Sequence, residues 1–498
     1  MRSFFRSSRR PLPTRSLALG CALLSAVALG ACKTEELHPG EDGGGIDNRW
    51  IGSVDPVHHD VDILFLIDDS PGMALAQDNL IRNFPTFMAQ LQANPDGLPG
   101  LHIAVVSSDL GAGDGSIPGC SAAGGKQGVF QHSPRGTCSA SNLGPGATFI
   151  SNVGGVANYT GNIEDVFGCI AALGESGCGF GHQFAALQRA LGADGLGGPP
   201  AENDGFLRPN AALAIVMLSN QDDCSAALGN GPNYRIPLFD TSSNMTMASQ
   251  LGPPTHFRCN EFGHMCSLRG SAPMHPDRNA PNQNVNASVA YDNCVSNDLE
   301  GYLLSAADTA NRIKSLKADA SRTVVASIQG DPGPYTVHWT NPSPVDTSCG
   351  SASCPWPAIT HSCTAPDGSY GDPGVRTAQF AGEFGFNGLQ FSICNGSFGT
   401  ALDRVARQIN QVLGPSCIPG PIGLNAAGQP DCTVVEQLVD SAGRNVTATV
   451  QSCTENNNTA PCWQLGTDAS CPGQVLNVSP DPNLPSSYQP VVTYDCAK

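Results

Sequence analysis

Aromatic residues are scarce, at 6% of 498 positions, and Lys and Arg number only 25 against 43 Asp and Glu, a formal net charge of −18. A chain so poor in cations repels phosphate backbones and anionic lipid, which argues against a nucleic-acid partner. No apolar run can span a bilayer: Leu17 to Leu29 offers about 13 residues, where a spanning helix needs about 20. Catalytic signatures are missing too. There is no Gly-x-Ser-x-Gly elbow, His-Glu-x-x-His pair, phosphate loop ending Gly-Lys-[Ser/Thr], or Ser-x-x-Lys. These absences point to a non-catalytic binding or structural protein; a hydrolase whose site is assembled only in space is the alternative. What is present is 40% apolar residues, enough for a core, and 57 Gly with 39 Pro, which predicts long loops around it.

The first 31 residues carry five Arg, then the apolar stretch, then Leu29-Gly30-Ala31-Cys32. This resembles a bacterial lipoprotein signal, which implies cleavage before Cys32, lipidation of that Cys, and an address at the bacterial envelope: the outer membrane or cell surface. Loss of those five Arg takes the net charge from −18 to about −23. Of the 20 Cys, setting aside Cys21 and Cys32 leaves an even 18, a density that belongs to an oxidising compartment. They fall in local groups: Cys120 and Cys138; Cys169 and Cys178; Cys224, Cys259, Cys266 and Cys294; Cys349, Cys354, Cys363 and Cys394; then Cys417, Cys432, Cys453, Cys462, Cys471 and Cys496. Each group is even, so pairing can be completed within groups, with the connectivity open.

Residues 32–57, polar and Gly-rich, read as the lipidated Cys and a flexible tether. Val61 to Ile67 is a strand buried on both faces, and Leu80, Ile81, Phe84, Phe87, Met88 and Leu91 predict a helix after it. The alternation repeats. Strands are expected at 101–106, 211–218, 322–328 and 389–393, and helical stripes at Phe184 to Leu191, Leu299 to Leu316 and Phe398 to Val412. The fold class is therefore α/β, a three-layer αβα open and mostly parallel sheet. It occupies 58–415, with Cys-rich insertions at about 111–160, 224–296 and 331–387. Residues 416–498, with six Cys, predict a small disulfide-held β module.

In such sheets ligands bind outside the carboxyl ends of the strands. Those ends carry Asp68-Asp69-Ser70-Pro71-Gly72 and Ser219-Asn220-Gln221-Asp222-Asp223. With Val61 to Asp68, Val105 to Gly111, Gly174 to Gly179 and Ile215 to Asn220, the chain resembles a von Willebrand factor type A (VWA) domain, in the Cys-rich form of bacterial surface lipoproteins. The resemblance implies a metal-ion-dependent adhesion site that binds another protein or an envelope component through Mg²⁺ or Mn²⁺. Asp68 and Ser70 match its first two ligands, Gly72 replaces a Ser, and Asn220 replaces an Asp. Glu175 or Ser176 stands for the Thr, while Asp69, Asp222 and Asp223 lie beside the lost positions. The site is thus degenerate. No cofactor is required, Mg²⁺ or Mn²⁺ (or Ca²⁺) remains open, and a subunit of an envelope complex that needs no ion is the second reading. His182, beside Cys178, opens a helix and could orient a loop.

Overall fold

The computed structural model describes residues 49–498 except 55–59, 95–97, 113–119, 121–123, 137, 139–141, 227–237, 240–246, 253–254, 281–283, 285, 341–355, 415–416, 419, 440–444, 468–472 and 480–490. The export segment, Cys32 and the tether up to residue 48 lie outside the described residues, as do Cys349, Cys354, Cys471 and the side chain of Cys417.

The chain runs through β1 (Arg49–Val54), β2 (Val61–Ile67), α1 (Ala74–Gln92), β3 (Leu101–Ser107), β4 (Ile150–Val153), β5 (Val156–Ala157), α2 (Ile163–Ala171), α3 (Gln183–Ala190) and β6 (Ala212–Leu218). Next come α4 (Phe257–Gly263), β7 (His264–Ser267), β8 (Ser288–Ser296), α5 (Ala306–Lys314), β9 (Thr323–Gln329), β10 (Tyr335–Thr340), β11 (Trp356–Ile359), β12 (Cys363–Thr364) and β13 (Tyr370–Gly371). After α6 (Val375–Gly382), β14 (Gly388–Ser392) and α7 (Gly399–Leu413), the remainder is strand: β15 (Cys417–Ile418), β16 (Cys432–Val439), β17 (Asn445–Ser452), β18 (Cys462–Gly466), β19 (Gln474–Ser479) and β20 (Val491–Ala497).

The protein is mixed α/β with several sheets. The main sheet has the order β14-β9-β6-β2-β3-β4-β5, parallel from β14 to β3 and antiparallel beyond. Its central strands are buried along their whole length, which is why they read as unbroken apolar runs. Side chains alternate across the sheet. Ile63, Phe65 and Ile67 join Leu80, Phe84 and Phe87 of α1, Phe167 of α2, and Leu402, Val405 and Ile409 of α7. Leu64 and Leu66 join Phe184 and Leu187 of α3, Ala310 and Ile313 of α5, and Phe380 of α6.

Several expectations are corrected. The tether is not free to its end, because β1 pairs with β20 from Arg49↔Ala497 to Val54↔Val492. Trp50 packs on the C-terminal core, and Arg49 forms an ion pair with Asp495, so a segment that reads as linker is the edge of the seven-stranded sheet β1-β20-β16-β17-β18-β19-β15. The stretches 224–296 and 331–387, expected as insertions, meet each other. β8 pairs with β10, giving a four-stranded antiparallel sheet β11-β10-β8-β7 with its own core of Tyr291, Tyr335, Val337 and Ile359. Residues 375–382 are α6, which packs on the main sheet, and β4 and β5, within 111–160, extend that sheet.

Seven disulfides join described cysteines: Cys120–Cys178, Cys138–Cys169, Cys224–Cys259, Cys266–Cys294, Cys363–Cys394, Cys432–Cys496 and Cys453–Cys462. The first two overturn pairing within groups. They cross between groups: Cys138 bonds Cys169 of α2, and Cys120 bonds Cys178 ahead of α3.

The helix expected from Leu299 begins instead at Ala306, leaving Leu299 96% exposed. Two caps set that start. Ser305 accepts the Asp308 N–H, and the Asp298 carboxylate accepts the N–H groups of Ala306 at 3.0 Å and Ala307 at 3.2 Å. Burial pushes the Asp298 carboxyl up, but hydrogen bonds from Ser296, Ala306 and Ala307 and the nearby Arg376 charge outweigh it and hold the group below its ordinary 3.8. Asp298→Asn is therefore expected to cost about 1 kcal/mol at pH 7. A depressed carboxyl stabilises the fold above its unfolded pKa and loses that contribution as pH falls through the folded value. Wild-type and variant stabilities, measured by urea denaturation, should accordingly converge below about pH 4; a gap unchanged at pH 3 would refute the assignment.

Candidate functional site

The carboxyl ends of β2, β3 and β6 converge, and each ends in polar residues that the preceding apolar strand carries inward. Asp68, Asp69 and Ser70 follow β2; Ser107 ends β3, with Ser108 next; Ser219 and Asn220 follow β6. All seven are at most 1% exposed. Asp68 Oδ1 accepts the Ser70 N–H at 2.9 Å and the Ser108 hydroxyl at 3.0 Å, and its Oδ2 accepts the Ser219 hydroxyl at 2.7 Å. Asp69 Oδ1 accepts the Ser107 hydroxyl at 2.7 Å, and its other oxygen forms an ion pair with Lys126. Burial, helped by the Arg135 charge and opposed by Asp68, brings the Lys126 ammonium down to about 8.

The 174–178 loop closes over these residues. Gln77 of α1 fastens it, donating to the carbonyls of Asp68 and Gly174 and accepting the Gly174 N–H, each at 2.9 Å. Gly177 donates to the Asp69 carbonyl at 2.8 Å, and a Cβ there would lie 2.3 Å from Asp69 Oδ1, so only glycine fits. The Cys120–Cys178 bond holds the end of the loop.

Asp68, Ser70 and Asn220 are thus brought together at the strand ends, but the remaining expected ligands are placed otherwise. Gly72 has φ +93°, and a Cβ there would sit 3.1 Å from Asn220 Nδ2 and 3.2 Å from the Tyr370 hydroxyl, so both backbone and space favour glycine over serine. Glu175 caps α1, accepting the N–H groups of Gly72 at 2.8 Å and Ala74 at 3.2 Å, a role that the N-cap residue Met73 leaves open. Ser176, next to it, is exposed at the rim.

Asp222 does not stand in for the lost carboxylate. Its Oδ2 accepts from His264 Nε2 and the Arg376 N–H, each at 2.8 Å, and its Oδ1 accepts from Asp223 N, Thr377 N and the Thr377 hydroxyl. It caps α6. Burial raises its carboxyl, yet the His264 hydrogen bond and charge, with Arg376, bring it below the ordinary value. Asp223 caps α3 through the Phe184 N–H and pairs with Arg376 at 3.0 Å. His182, as expected of a loop-orienting residue, bonds the Gly111 carbonyl through Nε2 at 2.7 Å.

This donor set does not fit a resident Mg²⁺, Mn²⁺ or Ca²⁺. Both oxygens of Asp68 are taken by neutral donors, the second-loop hydroxyl is missing from the cluster, the third-loop position is an amide, and an ammonium lies against Asp69. No group of three or more His, Cys, Asp or Glu able to hold a metal occurs among the described residues. Lys126 and the serine wall were not selected as site residues from sequence. The available signal was that Lys126 is one of only five lysines in the chain, set among three glycines, Gly124, Gly125 and Gly128.

No protein-family model and no curated protein matches the chain. Among solved structures it is similar to bacterial pilus adhesins. The pilus adhesin SpaC of Lactobacillus rhamnosus GG, in an open conformation, shares 12% identity at a TM-score of 0.28 over 90% of this chain and 40% of its own. RrgA of Streptococcus pneumoniae shares 10% at 0.27, over 90% and 57%, and the three N-terminal domains of the type V pili tip protein Mfa5 of Porphyromonas gingivalis share 12% at 0.28, over 90% and 64%. The chain thus spans less than two thirds of each matched structure. Among the described residues, no helix is long and apolar enough to cross a membrane.

Proposed function

We propose that this chain is an exported cell-surface lipoprotein, held by lipid on Cys32, whose VWA-like αβα domain binds another protein or an envelope component without catalysing a reaction and without a required metal ion. The observation that carries the reading is the buried polar cluster at the carboxyl ends of β2, β3 and β6, roofed by the 174–178 loop and bounded by a disulfide. That is where ligands meet sheets of this kind. Seven cystines among the described residues support passage through an oxidising compartment. Lipid on Cys32 would supply more than one acyl chain, enough for stable anchoring.

Ser176 provides the test, since it is exposed on the roof of the cluster and is not part of the core. Ser176→Arg should weaken binding to isolated envelope components at least tenfold while leaving thermal unfolding unchanged. Unchanged binding by this variant, with loss on removing 416–498, would replace the proposal with the second reading, a structural subunit docked through its C-terminal sheet. Anchoring is tested separately: labelled fatty acid should enter the wild type and not Cys32→Ser.

A further inference from the structure

Near the edge of the main sheet, the carboxyl ends of β9 and β14 and the start of α6 enclose a cavity of about 70 Å³ that shares no lining residue with the cluster at β2, β3 and β6. The two strands are parallel neighbours with Gln329 beside Ser392, so they end at one level.

Gln329 lines this cavity and is only 3% exposed. Its Oε1 accepts the Thr377 hydroxyl, while its Nε2 has no hydrogen-bond partner, an uncommon state for a buried polar group. A Cβ at Gly374 would lie 2.9 Å from both Gln329 Oε1 and the Gly330 carbonyl, so glycine keeps the floor clear beside the amide. Gln390 is pinned by its Nε2, which donates to the Ala378 carbonyl at 3.0 Å. The exposed Asp331 carboxylate stands at the mouth, where the Ser392 hydroxyl reaches it at 3.4 Å. No Lys, Arg or His lines the cavity.

These groups select a ligand chemistry. An idle N–H on the floor calls for an acceptor and disfavours a cation at that depth. A carboxylate at the mouth, with no cation in the lining, calls for a donor and repels phosphate or carboxylate. The entering group is therefore neutral and both donates and accepts, as a hydroxyl does. Adjacent hydroxyls on a sugar present several such groups along one rigid edge, enough for Gln329, Asp331 and the Gln390 carbonyl together, whereas a carboxamide offers a single acceptor. At roughly 30 Å³ per water, the cavity holds the volume of two waters, which admits the hydroxyl edge of a sugar and leaves its ring outside.

We propose that this cavity is a carbohydrate subsite, in which one sugar edge accepts from Gln329 Nε2 and donates to Asp331 and the Gln390 carbonyl. It is a second surface, independent of whether a partner meets the cluster at β2, β3 and β6.

The test is saturation-transfer NMR on the oxidised full chain with the methyl glycosides of glucose, galactose and mannose, and with acetamide as a carboxamide probe. At least one glycoside should bind the wild type, in the millimolar range that so small a contact supports. Binding should weaken by about tenfold or more in Asp331→Ala, which removes a hydrogen bond to a charged group; because Asp331 is exposed, this variant should unfold at the wild-type temperature. It should vanish in Gln329→Met, which fills similar space without the donor, and persist in Ser176→Arg. Failure of every glycoside to bind would overturn the proposal, as would binding undiminished in Asp331→Ala or lost equally in Ser176→Arg. Asp331-dependent binding of acetamide where no glycoside binds would also overturn it, in favour of a carboxamide site. Should Gln329→Met fail to fold, the Asp331→Ala result decides alone.

Discussion

Arg376→Met is expected to destabilise the folded chain by about 3–5 kcal/mol, the range for removing one partner of a buried ion pair. Arg376 and Asp223 are both fully buried, with the guanidinium 3.0 Å from Asp223 Oδ2. The same side chain donates to the Ser296 hydroxyl at 2.8 Å and to the Leu304 carbonyl, and it lies over the Phe184 ring at 5.3 Å. It therefore ties the end of β6 to the end of the second sheet and to the entry of α5. Methionine fills much of the volume but strands the Asp223 charge in a dry interior. The double variant Asp223→Asn with Arg376→Met should lose less than the sum of the two single losses, because no unpaired charge remains. Denaturant unfolding of the four oxidised proteins checks this, and strict additivity would refute the coupling.

Phe65→Ala is expected to cost a similar amount, about 3–5 kcal/mol, for a different reason. Phe65 lies at the middle of β2, with ring centroids 5.9 Å from Phe84, 5.9 Å from Phe87 and 4.7 Å from Phe167. In a chain this poor in aromatics, four of them meet at one point between the sheet and helices α1 and α2. Truncation leaves a cavity whose walls are held by regular elements and cannot collapse freely. Val156→Ala on the exposed edge strand, where the side chain is 76% exposed, is the control and should change stability by less than about 0.5 kcal/mol. A Phe65→Ala loss as small as that of the control would mean that the cluster does not close the core.

The sequence exposes what periodicity encodes. Strands buried on both faces announce themselves as apolar runs, and the stripes of α1 and α7 emerge at spacings of three and four. Local chemistry was legible as well, since the Asp and Ser residues ending β2 and β6 stood out at once. Their roles were not, because roles depend on partners far along the chain. Asp222 and Asp223 read as spare metal ligands until His264, Arg376 and Thr377, from stretches that resemble insertions, are folded against them. Lys126 was overlooked for the same reason. Strand pairing between distant segments leaves no periodic trace either: β1 is six residues following a Gly-rich stretch, and only its antiparallel register with β20 reveals that it is part of a sheet.

That register places Arg49 opposite Ala497, so the two ends of the described chain emerge from one edge of the molecule. Tension applied between the segment ahead of Arg49 and anything joined after Lys498 would act on this ladder as on a zipper, opening its six pairs one at a time from the outside inward. The next ladder in line, β20 on β16, begins at the pair Cys432↔Cys496, which is closed by a covalent bond. Under load the protein would therefore yield early and by a fixed length, after which the cystine holds the C-terminal end and the pull from the other end passes to β2 at Val61.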